Sequence, residues 1–300
     1  MKLENKILKI SMVGALFFAL FGIAWGWTAQ SEMIIFDGLY SFISLALTML
    51  SLYINNFIAK KELDKYPFGK YILEPLVISF KSLIIGGMCL YSLIGAIQDV
   101  VHGGNTVEYG SALIYSIVSV IGCGGVYIFM KKKGDKISSE LIKVEASQWL
   151  MDTLLSIGVL VGFVIAMILR NTRFSGLNVY IDPMMVIMVS VVFIKMPVQS
   201  FINAFKEILC IKAEDEINDD IYLIVKEIEK EYKFEDSISR VSKIGGELRI
   251  EIDFIYNEES KLKDLDQMDC VREEVYDAIK HIDYNKWLNV SFTGDKKWAI

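Results

Sequence analysis

Residues 141–169 read LIKVEASQWLMDTLLSIGVLVGFVIAMIL, an apolar run long enough to cross a bilayer that nevertheless holds a carboxylate, Asp152, well inside it. A spanning helix needs roughly 20 mainly apolar residues. Five other stretches reach that length, near 7–28, 33–59, 75–99, 109–130 and 181–205. The reading is an α-helical membrane protein with six transmembrane helices in residues 1–210, followed by a small cytoplasmic α+β domain in 211–300.

Composition agrees. The 300 residues are 53% hydrophobic and 23% charged, with a mean hydropathy of +0.41, too apolar for an ordinary soluble domain. Charge is uneven: residues 1–210 hold 17 Lys/Arg against 14 Asp/Glu, and residues 211–300 hold 14 against 23. So acidic a tail argues against a nucleic-acid partner, which would need a basic face to neutralise phosphates. Cys89, Cys123, Cys210 and Cys270 lie far apart without a CxxC pair, so neither a disulfide framework nor a zinc finger is expected.

Six spans put both chain ends on one side, and the short loops say which. Lys60, Lys61, Lys65 and Lys70 join spans two and three, and Lys131, Lys132, Lys133 and Lys136 join spans four and five. Positively charged loops stay in the cytoplasm. The expected location is therefore the cell membrane, multi-pass, with N- and C-termini cytoplasmic. Span one follows Lys2, Lys6 and Lys9 like a secretory signal, but its apolar run is too long for a signal core, so it reads as an uncleaved helix. Trp25 and Trp27 near its end suit an outer interface.

After residue 211 the pattern is that of a soluble domain. Ile217, Ile221, Ile224, Val225 and Ile228 recur at helical spacing, while Leu248, Ile250, Ile252 and Phe254 alternate with Arg249, Glu251 and Asp253 as in a half-buried strand. Gly245-Gly246 marks a hairpin between strands 237–244 and 247–256. A helix over 262–282 and a strand over 286–293 complete the order α-β-β-α-β.

Ionisable groups in lipid are costly and ask for a reason. Asp37 lies in span two within Glu32-Met-Ile-Ile-Phe-Asp37-Gly-Leu-Tyr-Ser41, and Asp152 lies in span five four residues after Gln148. The spacing of four puts Asp37 with Ser41, and Gln148 with Asp152, on single helical faces. At 1.5 Å per residue, Asp152 stands about 16 Å above the cytoplasmic start of its span and Asp37 about 6 Å below the outer start of its own. Two carboxylates, an amide carbonyl and a hydroxyl can then converge around a divalent cation. The competing reading is a buried hydrogen-bond network that fixes helix packing. Lys81, Lys195 and Asp182-Pro183 read as structural, the acid suiting the start of span six. Glu145 shares the face of Gln148 nearer the cytoplasm and reads either as a vestibule acid or as a solvated helix end.

Taken together, Asp37-Gly-Leu-Tyr-Ser41, Tyr66-Pro-Phe-Gly-Lys-Tyr-Ile-Leu-Glu74-Pro75, Asp152 with the following Ser156-Ile-Gly-Val, and Asp182-Pro183 resemble the cation diffusion facilitator family of divalent-metal transporters. The resemblance covers nearly the whole chain. It implies a homodimer that exports a divalent metal against inward proton flow, with no resident cofactor, through Asp37, Ser41, Gln148 and Asp152. Zinc-transporting relatives usually carry Asp at the position of Ser41 and His at that of Gln148. An oxygen-only set is harder, so Mn2+ or Fe2+ is favoured over Zn2+ as the transported ion. Tyr66 and Lys70 replace the histidines through which some relatives bind a loop metal, and His281, with Asp283 nearby, is the only histidine of the C-terminal domain.

Two other function classes remain. A non-transporting membrane scaffold or regulator with a degenerate metal site is supported by the departures at Ser41 and Gln148. An intramembrane enzyme finds no HExxH, GxSxG or Cys/His constellation, and no catalytic residue is assigned.

Overall fold

The computed structural model describes residues 2–58, 60, 62, 64–137, 140–170, 172–262 and 264–299. The long apolar runs form helices because an isolated backbone in hydrocarbon satisfies its N–H and C=O groups only within its own segment. They are α1 (Lys2–Ala29), α2 (Glu32–Ile58), α3 (Leu73–Val101), α4 (Tyr109–Ile137) and α5 (Glu140–Arg170), followed by a short 3-10 turn over Ser175–Tyr180, α6 (Ile181–Phe193) and α7 (Lys195–Ile208). Six of the resulting stretches are long and apolar enough to span a membrane, from Lys9–Ala29 to Ser175–Ile208. Large apolar side chains such as Leu20, Ile121, Val161 and Met188 stand exposed on them, as a lipid-facing surface requires.

The run expected as one helix over 181–205 is interrupted at Ile194. Pro197 explains it. Having no N–H, it cannot bond the carbonyl of Phe193, and its ring crowds that carbonyl. The Trp25 indole Nε1 donates to the Ser111 carbonyl at 3.0 Å, so the ring is half-buried against α4 while Trp27 remains exposed.

Contacts divide the chain into two compact units, one of Met1–Leu50 with Lys81–Gln199, the other of Ser51–Phe80 with Ser200–Ile300. In the first, Ser31 and Asp182 join distant segments. Asp182, 0% exposed, accepts from Ser31 Oγ at 2.5 Å and from the Glu32 N–H at 2.9 Å. The acid expected to favour its own helix start therefore also satisfies the first turn of α2, where N–H groups lack intrahelical partners.

The second unit holds the α+β domain: α8 (Asp215–Tyr232), β1 (Asp236–Ile244), β2 (Glu247–Ile255), α9 (Leu265–Ala278) and β3 (Asn285–Thr293). β1 and β2 pair antiparallel, β2 and β3 parallel, in the order β1-β2-β3 with α9 as the crossover. Leu248, Ile250, Ile252 and Phe254 line the buried face beneath Ile221, Val225 and Ile228 of α8 and Val271 and Val275 of α9. Such side chains contribute about 1.5–3 kcal/mol each when fully buried. α9 begins later than its amphipathic pattern because Asp264 caps its N-terminus, accepting from the Gln267 N–H at 2.9 Å, and it ends at Ala278 rather than 282.

Residues 68–74, which lead into α3, and the end of α7 pack on the β1–β2 hairpin within this unit. Glu74 Oε2 accepts from the Gly246 N–H at 2.8 Å and Glu207 Oε2 from the Gly245 N–H at 2.9 Å. Arg249 donates to the Phe68 carbonyl at 3.0 Å. Gly245 has φ +57, and a Cβ there would stand 2.5 Å from Glu74 Oε2 and 2.9 Å from the Tyr71 carbonyl oxygen.

Candidate metal centre

Asp37 and Ser41 lie one turn apart on α2, and Gln148 and Asp152 one turn apart on α5. Close helix crossing sets the room around Asp37. A Cβ on Gly38 would come within 2.6 Å of the Ile23 nitrogen and 2.9 Å of the Gly22 carbonyl carbon, so α1 and α2 meet there backbone to backbone. Beside that crossing, Tyr115 of α4 donates its Oη to Asp37 Oδ2 at 3.0 Å.

Asp152 follows Trp149, whose indole Nε1 donates to Ser11 Oγ at 2.7 Å and whose ring packs edge-on to Phe18 at 6.1 Å. Thus α5 is pinned to α1 three residues before the acid. Asp152 acts electrostatically on Tyr40 of α2 and on Cys123 of α4, and Asp37 acts on Cys123 as well. The buried thiol of Cys123 therefore lies within electrostatic range of both carboxylates. The side chains of Gln148 and Glu145 lie outside the described residues. Among the described residues no three His, Cys, Asp or Glu side chains converge as a closed metal cage.

Tyr115 and Cys123 escaped sequence reasoning because neither is charged at neutral pH. A weak signal exists, since Tyr115, Ser119 and Cys123 recur every four residues along the apolar α4. In the loop after α2, Lys70 is only 5% exposed. Its ammonium donates to Glu62 Oε2 at 2.9 Å and to the carbonyls of Lys60 at 3.1 Å and Phe57 at 3.4 Å, and it sits over the rings of Phe57 and Tyr66 at 4.1 and 4.7 Å. This cation gathers the surrounding acceptors to itself and holds the Glu62 carboxyl below its ordinary range. His281 bonds the Asp220 carboxylate at 2.7 Å through Nε2 and the Ala278 carbonyl at 2.8 Å through Nδ1, so its acidic partner is Asp220 rather than the neighbouring Asp283.

Six apolar helices, carboxylates within the second and fifth of them and an appended α+β domain define a multi-pass helical membrane protein. The chain belongs to the cation efflux family, a family of transporters rather than enzymes: the family model described as the cation efflux transmembrane domain matches residues 8–209. It is similar to the manganese efflux system protein MneP of Bacillus subtilis (strain 168), 27% identical over 173 residues, which cover 58% of this chain. That match spans 55% of the relative, about half of its length. It is also similar to the magnetosome protein MamB of Magnetospira sp. (strain QH-2), 21% identical over 258 residues that cover 86% of this chain and 85% of the relative.

Proposed function

We propose that the protein exports a divalent metal cation from the cytoplasm by alternating access, with Asp37, Ser41, Gln148 and Asp152 as the ion-binding groups. The single observation that carries this reading is the pair of carboxylates within apolar spans, Asp37 on α2 and Asp152 on α5, both within electrostatic range of the buried Cys123. Two carboxylates balance a dication, and the remaining oxygens favour Mn2+ or Fe2+ over Zn2+. The similarity to a manganese efflux protein supports the same preference. Protons compete with the ion for the same two carboxylates, which provides a route to antiport without histidine. The working form is a homodimer in the cell membrane, with the lysine-rich loops, both termini and the 211–300 domain on the cytoplasmic side.

Transport in sealed vesicles tests the proposal with a panel of Mn2+, Fe2+, Co2+ and Zn2+. Native protein should move Mn2+ or Fe2+ with opposing proton flow, and Asp37→Ala or Asp152→Ala should reduce movement by about 100-fold. No transported ion, or transport at the native rate by either variant, rejects it. Ser41 and Gln148, which stand where zinc-transporting relatives usually carry Asp and His, favour a second reading, a membrane scaffold with a degenerate site. That reading requires calorimetry to find no metal binding that depends on Asp37 or Asp152.

A further inference from the structure

We propose that Tyr115 is the specificity-determining partner of Asp37, tying up one carboxylate oxygen so that the other binds a small dication and calcium is disfavoured. The inference rests on Asp37 being an ion ligand and deepens that reading by assigning α4 a part in ion choice.

The phenol is built into its place. Tyr115 is 2% exposed, and its Oη lies 3.0 Å from Asp37 Oδ2. Its ring stacks on Phe21 of α1 at 5.5 Å and 24°. Phe21 in turn meets Trp25 at 5.1 Å, and the Trp25 indole is bonded to the Ser111 carbonyl, one turn before Tyr115 on α4. An aromatic tier from α1 thus begins and ends on α4 and fixes the ring. Space for the hydroxyl comes from Gly22, where a Cβ would stand 2.8 Å from Tyr115 Oη and 3.0 Å from the Gly38 Cα. Any larger residue at position 22 would press on both the phenol and the α1–α2 crossing.

Chemistry follows from this geometry. A carboxylate has two oxygens with about four lone-pair sites, and a hydroxyl held on Oδ2 occupies one of them and fixes the carboxylate plane. Asp37 then meets an ion chiefly through Oδ1. Calcium takes 6–8 oxygens and draws on bidentate carboxylates, so a restrained, one-oxygen Asp37 handicaps it more than it handicaps a smaller dication. A partner that orients a ligand is worth on the order of 10- to 100-fold in metal affinity.

Tyr115→Phe removes one oxygen and leaves the stacking ring. With native protein, Tyr115→Phe and Asp37→Ala in the same vesicle assay, the expected result for Tyr115→Phe is an apparent KM for Mn2+ raised about 10-fold, a kcat within about twofold of native, and Ca2+ inhibition of Mn2+ transport strengthened by a similar factor. EPR titration of Mn2+ against the purified, monodisperse variant should give the same affinity loss and a smaller Mn2+ over Ca2+ preference. A merely structural role would lower kcat and leave the Mn2+ to Ca2+ ratio unchanged, which overturns the inference. Native KM and native ion ratio in Tyr115→Phe, with Asp37→Ala inactive, overturns it while the export reading stands. Native transport by Asp37→Ala overturns both.

Discussion

Gly245→Ala is the sharpest perturbation of the C-terminal domain, because the structure supplies both its cost and its control. Gly245 sits at φ +57, a left-handed conformation that costs a residue with a Cβ about 1–2 kcal/mol. The new methyl would also lie 2.5 Å from Glu74 Oε2 and 2.9 Å from the Tyr71 carbonyl oxygen. The carboxylate can swing away, but only by releasing the Gly246 N–H that it accepts at 2.8 Å, and a bond to a charged acceptor is worth about 1.5–3 kcal/mol. The Tyr71 carbonyl is main chain and yields less. Together these give a destabilisation of about 3 kcal/mol, roughly a hundredfold in the opening equilibrium of the hairpin. At Gly246 an added Cβ would meet nothing nearer than 3.7 Å, so Gly246→Ala should be nearly neutral. Hydrogen exchange of the β1–β2 amides in detergent-solubilised protein reads the difference directly. Equal protection in the two alanine variants would refute the reasoning, since it would mean that neither the backbone conformation nor the Glu74 contact constrains the turn.

Three other expectations follow from buried or paired charges. Asp182→Ala strips a fully buried acceptor from Ser31 and from the Glu32 N–H and should cost about 3 kcal/mol in thermal unfolding in detergent, with exchange rising first at the start of α2; an unchanged melting curve would contradict the capping role. Lys70→Met keeps the stem but removes the donor shared by Glu62, Lys60 and Phe57, and limited proteolysis should cut the loop after α2 at least several-fold faster, whereas native cleavage rates would show that the ammonium does not organise it. The Lys296 ammonium, the Ser237 N–H and then Lys226 hold the Asp236 carboxyl down at about 2 from an ordinary 3.8. A depressed carboxyl stabilises the fold above 3.8 and ceases to as pH falls through 2, so Lys296→Met should lower stability slightly at neutral pH, with the gap to native closing near pH 2. A gap independent of pH in urea titrations would exclude this pairing as its source.

Helices, strands and their order were largely legible in the chain. A run of apolar residues long enough for the bilayer needs no partner to be recognised, and alternation through Leu248, Ile250, Ile252 and Phe254 gives the strand and its buried face directly. Gly245-Gly246 marked the hairpin, whose register pairs Ile244 with Glu247 across those two residues. Pro197 was present as a signal for the break after Phe193, but mean hydropathy ran straight through it.

The acids too were visible, because a carboxylate in an apolar run violates the local pattern. Their partners were not. Tyr115 reaches Asp37 across 78 positions, Ser31 reaches Asp182 across 151, and Glu74 reaches the hairpin across 172. Hydrophobic periodicity is a property of neighbours along the chain and states which face of an element avoids water. Which neutral hydroxyl or backbone N–H then meets a given carboxylate depends on where helices cross, and at Gly22 and Gly38 that crossing is set by the absence of side chains. Sequence alone thus determined the elements and their embedded charges, while tertiary packing decided the hydrogen-bond partner of Asp37, because only contact in space selects one donor among many alike.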